Sequence, residues 1–131
     1  MALLMPVEAD PKDELLQGVG DLGEIEIFHN QIICAVYIRP EKTRGGIILT
    51  DTTRGEDRFQ SKVGLIVKMG DKAFLGDADW SWPEPPKVGD WVVFRASDGW
   101  NITVGGSQGQ LCRVLTDTAV RMRINHPDQI W

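Results

Sequence analysis

The side chains capable of covalent or metal chemistry are few in this chain and widely scattered. Its two histidines, His29 and His126, each stand alone, and its two cysteines, Cys34 and Cys112, lie in separate apolar runs. No pair of His or Cys residues has the short spacing that holds zinc, so no metal site is expected. Gly105-Gly106-Ser107-Gln108-Gly109 is glycine-rich, but no Lys-Ser or Lys-Thr follows it. It therefore lacks the groups that cradle a nucleotide's phosphates and reads as a hairpin tip. No serine or cysteine sits in a nucleophile-elbow context. These absences argue against an enzyme, and no cofactor is implied.

The segment that stands out has the chemistry of contact. Ile47, Ile48 and Leu49 are three consecutive large aliphatics inside a polar stretch, with Thr43, Arg44, Gly45 and Gly46 before them and Thr50, Asp51, Thr52 and Thr53 after. An exposed apolar run of this kind marks a binding site. The competing reading is one more buried strand. Gly45-Gly46 tilts the balance toward the first, because paired glycines free the backbone just ahead of the triplet.

The elements that must carry this segment read as a small all-β domain. The chain has 131 residues, 42% of them hydrophobic, enough for one domain to bury a core without disulfides. Residues 31–38, 62–69, 91–95, 110–115 and 118–124 are apolar, β-branched or alternating runs bounded by Gly, Pro and Asp, and all read as strands. Glu24-Ile25-Glu26-Ile27-Phe28 alternates and reads as a further strand. Short strands with such turns imply a small antiparallel β-barrel with long loops over 39–61, 72–86 and 96–109. Residues 24–131 are taken as the barrel domain. Residues 1–23 are taken as an N-terminal arm outside the core, with a short helix that Asp10 caps, Pro11 begins and Gly18 closes.

Charge and hydropathy exclude whole classes of partner. Fourteen Lys and Arg against nineteen Asp and Glu give a net charge of −5, which repels phosphate backbones, so nucleic acid is not expected as a partner. No apolar run approaches the roughly 20 residues that span a bilayer, so no membrane partner is expected either. Met1–Met5 lacks the basic start of a secretory signal. Cys34 and Cys112 read as buried thiols of a cytoplasmic protein.

Gly45-Gly46-Ile47-Ile48-Leu49-Thr50 resembles the mobile-loop motif of the chaperonin-10, or GroES-like, co-chaperonin family. The order of the other pieces is similar. His29-Asn30-Gln31-Ile32-Ile33-Cys34-Ala35-Val36 resembles the family's first strand, and residues 61–70 its strand after the loop. Lys87-Val88-Gly89-Asp90-Trp91-Val92-Val93-Phe94 resembles its Lys-Val-Gly-Asp turn and following strand. Residues 110–115 and 118–124 resemble its final hairpin. The resemblance covers residues 28–125.

It implies a subunit of a homo-oligomeric ring, a heptamer, that caps a host double-ring chaperonin ATPase in the cytoplasm and assists protein folding. On that resemblance Ile47, Ile48 and Leu49 dock on the chaperonin, and the 72–86 connection forms the roof. The roof and loop aromatics are then Trp80, Trp82 and Trp100. Strands 31–38 and 118–124 join neighbouring subunits, which makes Ile32, Val36, Val120, Met122 and Ile124 interface candidates.

The sequence also departs from the family pattern. The arm 1–23, longer connections after the triplet and over 96–109, and a tail His126-Pro127-Asp128-Gln129-Ile130-Trp131 are additions. Such divergence fits a bacteriophage-encoded member. It leaves an alternative, a virion structural protein (capsid decoration, cement or neck component) built on the same barrel. There the arm and the terminal Ile130-Trp131 would clamp capsid proteins, as large aromatics anchor interfaces.

Overall fold

A computed structural model describes residues 10–38, 61–75, 84–105 and 109–130. The expected start of the helix is present: α1 spans Pro11–Val19, with Asp10 accepting the Lys12 N–H at 3.0 Å. Its end lies further on than Gly18. Gly20 closes it through an N–H donated to Leu16 O at 3.2 Å. Gly18 lies inside the helix and packs against Gln110, whose Oε1 would lie 2.9 Å from a Cβ there.

Six strands follow: β1 Gln31–Val36, β2 Val63–Met69, β3 Trp91–Val93, β4 Trp100–Val104, β5 Gln110–Thr116 and β6 Met122–Ile124. They form one antiparallel sheet in the order β4-β5-β1-β2-β3-β6. This is the small all-β fold that the sequence implied. β1 lies in its middle, pairing Ile32 with Met69 of β2 and with Leu115 of β5. A bulge between Ile33 and Cys34 shifts the β1–β2 register.

Alternation along the strands divides the core between the two faces of the sheet. Ile32, Cys34, Ile66, Val92, Phe94 and Leu115 bury one face, joined by Ala73 and Phe74 from the turn after β2. Ile33, Ala35, Leu65, Trp91, Cys112 and Val114 bury the other. Leu15 and Val19 of α1 pack into this second cluster. The helix is thus docked on the sheet, and the expectation that it lies outside the core is corrected. Two apolar side chains four residues apart form one helical stripe, and that stripe finds the strand face as its partner.

Three further expectations are corrected. The stretch 24–28 forms no strand, because no described strand lies beside it. The 96–109 connection contains β4, which the sequence reading missed. The last strand does not run from residue 118: a 3-10 turn, Asp117–Ala119, precedes a short β6.

Candidate functional site

The docking-segment residues Gly45, Gly46, Ile47, Ile48, Leu49 and Thr50 lie outside the described residues, as do Trp80 and Trp82. The structure describes the points from which those segments depart. Tyr37 and Ser61 flank residues 39–60, and they are stitched together. The Tyr37 N–H donates to Val63 O at 3.0 Å, and buried Ser61 Oγ donates to Tyr37 O at 2.7 Å. Ser61 Oγ also accepts the Val63 N–H at 3.4 Å. A single hydroxyl thereby satisfies backbone groups where the ladder ends, and the two ends of the long connection stay adjacent.

The Tyr37 side chain is equally fixed. It is buried, its ring meets Trp91 edge-on at 5.8 Å and 81°, and its hydroxyl donates to Asp128 Oδ1 at 2.6 Å. A phenol buried on an apolar face needs such an acceptor.

A second constellation holds the chain before residues 76–83. Asp117 is a buried carboxylate. Its Oδ1 accepts from Asn30 Nδ2 at 2.8 Å, and its Oδ2 accepts the Phe74 N–H at 3.0 Å. Phe74 and His29 both have positive φ, 57° and 61°, and His29 O accepts the Lys72 N–H at 3.0 Å. Two non-glycine residues in the left-handed region are costly and persist only where neighbours enforce them. Asp117 holds Phe74 through that N–H and the residue after His29 through Asn30. Sequence reasoning missed it, since nothing local marks one aspartate among many.

The Lys-Val-Gly-Asp turn acquires a physical reason. Asp90 accepts from Lys87 N at 3.1 Å, from Lys87 Nζ at 3.2 Å and from Arg123 Nη1 at 3.2 Å. Arg123 Nη2 also donates to Glu84 O at 3.1 Å. Partial burial pushes the Asp90 carboxyl up, but these donors outweigh it and hold its pKa below the ordinary aspartate value. The turn, β6 and residue 84 are thereby tied into one corner.

On β5, Arg113 is buried with its guanidinium over the Phe94 ring at 5.4 Å. Its Nε donates to Asn101 Oδ1 at 3.0 Å and its Nη1 to Ala96 O at 2.9 Å. Burial lowers its pKa against the opposing pull of Asp98. It pins β4 and the bend before it onto β5.

The interface candidates separate. Ile32 and Val36 are fully buried in the central strand, so neither is available at an edge of this sheet; they serve the chain's own core. Met122 and Ile124 lie on β6, an end strand, with Met122 exposed and Val120 and Ile124 half-buried. Trp100 is not in a loop but opens β4, the other end strand, and is 61% exposed. Among the described residues no group of three or more His, Cys, Asp or Glu converges as a metal site. No helix among them is long and apolar enough to cross a membrane. Cys34 and Cys112 are buried free thiols.

Comparison with known proteins agrees with this architecture. A family model described as Chaperonin 10 Kd subunit matches residues 24–120. A co-chaperonin GroES of Halothermothrix orenii is 40% identical over 78 residues, covering 59% of this chain and 76% of that protein. A co-chaperonin GroES of Hyphomonas neptunium is 30% identical over 79 residues, covering 60% of this chain and 77% of that protein. With the matched stretch running through five of the six strands and both constellations at the segment roots, the chain belongs to the chaperonin 10 Kd subunit family.

Proposed function

We propose that this chain is a ring-forming co-chaperonin that caps a double-ring chaperonin ATPase in the cytoplasm, with no catalysis of its own. The observation that carries the reading is the Gly45-to-Thr50 motif, with its Ile47-Ile48-Leu49 triplet, between Tyr37 and Ser61, which hydrogen-bond to each other beside the ends of β1 and β2, in a chain of this family. The related proteins bear the name co-chaperonin. The virion alternative gains no support from them.

The energetics suit a reversible cap. Fully burying an Ile or Leu contributes about 1.5–3 kcal/mol, so the triplet offers about 5–9 kcal/mol gross per subunit. Each residue that becomes ordered on binding costs about 1–2 kcal/mol, which offsets much of it. A single subunit then binds weakly, and a ring, seven-membered in this reading, makes the remainder effective through high local concentration.

Ring closure has its own support. Residues 24–28 alternate as a strand does and expose Ile25 and Phe28, yet no described strand pairs with them. β6 ends the sheet, and no described strand pairs with its outer side. Pairing 24–28 of one subunit with β6 of the next satisfies both, and repeating the contact closes a ring.

The test is gel filtration with a double-ring chaperonin, with and without ATP. Co-elution only with nucleotide is expected, lost in Ile48→Asp while the ring's own mass is unchanged. Absence of co-elution in both conditions would refute the cap. Loss of ring mass in Ile48→Asp would place the triplet in the core and refute it as the docking segment.

A further inference from the structure

The family match begins at residue 24 and ends at 120, yet ordered structure continues past both limits. The two additions converge. α1 contributes Leu15 and Val19 to the cluster that contains Tyr37, and Ile130 packs against the same cluster. Pro11, Glu14 and Leu15 face Val36, Tyr37, Ile38 and Gln110 across a cleft of about 180 Å³. From the other end, the 3-10 turn Pro127–Gln129 presents Asp128 to the Tyr37 hydroxyl at 2.6 Å.

This turn is closed by its own hydrogen bonds. His126 Nδ1 accepts the Asp128 N–H at 3.1 Å, and Gln129 Oε1 accepts the N–H groups of Asn125 and His126 at 2.8 and 3.0 Å. Pro127 is fully buried beneath it. Such a reciprocal cap fixes the carboxylate's position before the phenol reaches it. The phenol belongs to the first residue after β1, whose carbonyl is the one that Ser61 grips.

We propose that Tyr37 and Asp128 are positioning residues: the terminal additions clasp the chain where it leaves β1 and so set how residues 45–50 are presented to the chaperonin. This rests on the reading of 45–50 as the docking segment. The geometry favours it over a merely stabilising contact because both additions reach the cluster around Tyr37, which together with Ser61 roots that segment. A stabilising contact would be served as well anywhere along the sheet.

Amide hydrogen exchange on the free ring of full-length protein, wild type against Tyr37→Phe and Asp128→Asn, separates the two. Loss of one charge-assisted hydrogen bond should speed exchange at the Tyr37 and Val63 amides about tenfold, with Val114 and Leu115 of β5 changed less than about twofold. Affinity for the chaperonin should fall several-fold in both variants with ring mass intact. Uniform acceleration across the sheet in both variants, or none at Tyr37 and Val63, would overturn the clasp. Asp128 lies at the surface, so Asp128→Asn remains informative if Tyr37→Phe disturbs the core. If the wild-type ring caps no chaperonin, the functional reading falls. The exchange data then decide the clasp alone, upheld by acceleration confined to the root and overturned otherwise.

Discussion

Cys34 and Cys112 sit on adjacent strands but on opposite faces of the sheet. Cys34 stands across from Arg113 and Cys112 across from Ala35, and each thiol belongs to a different core cluster. A disulfide between them is excluded by that alternation. Burial pushes both thiols up, Cys112 to about 11 and Cys34 further, the latter reinforced by Cys112. Neither should react with a chromogenic disulfide reagent at neutral pH faster than the protein unfolds. Because the folded values are raised, the unfolded chain releases these protons first. The Cys112 contribution to stability is therefore intact below about 9 and is lost as pH rises through about 11, and that of Cys34 is lost at higher pH still. Rapid native-state labelling would contradict the buried placement.

Asp117 should be intolerant of neutral replacement. Asp117→Asn presents an amide donor where two donors already converge, from Asn30 and Phe74. The expected cost is about 1–3 kcal/mol, read from the urea midpoint. An unchanged midpoint would mean that Phe74 holds its positive φ without the carboxylate.

Two glycines with left-handed backbone should differ in a defined order. A Cβ at Gly99 (φ 72°) would lie 2.2 Å from Val114 O, whereas one at Gly89 (φ 97°) meets nothing within 4 Å. Gly89→Ala should cost about 1 kcal/mol for backbone strain alone. Gly99→Ala should cost about 3 kcal/mol or more, since the clash is with backbone. Equal midpoints for the two variants would contradict the entry geometry of β4.

Asp90 should shape the acid limb of stability. Its folded pKa lies below the ordinary 3.8, so its contribution is present above that value and is lost as pH falls through the lower folded one. Asp90→Asn should cost about 1 kcal/mol at neutral pH and flatten the decline at low pH. Parallel pH profiles for variant and wild type would show that Lys87 and Arg123 do not favour its charged form.

Ile25→Asp should dissociate the ring and leave the subunit folded. Ile25 is exposed in the single chain, so its replacement should alter subunit stability by less than about 0.5 kcal/mol. Light scattering reads the mass. An intact ring would move the subunit contact away from 24–28.

Local signals carried the parts of this molecule that depend on local physics. β1, β2, β3 and β5 are readable from runs of β-branched and apolar residues between Gly, Pro and Asp. The start of α1 is readable because an Asp-Pro cap acts within one turn. The Lys-Val-Gly-Asp turn and the Gly45-to-Thr50 motif are readable for the same reason, as short stretches that are distinctive in themselves.

Partnership was decided by the tertiary structure. β4 is a mostly exposed strand that exists because β5 offers a ladder and Arg113 reaches Asn101. Residues 24–28 alternate as a strand does, yet find no mate among the described residues. α1 reads as an appendage until the face of the sheet receives Leu15 and Val19. Asp117 meets Asn30 across 87 residues, and Asp128 meets Tyr37 across 91. Propensity and capping act over a few residues along the chain. Burial of a polar group and completion of a strand edge depend on what folding brings alongside, and no local pattern encodes that.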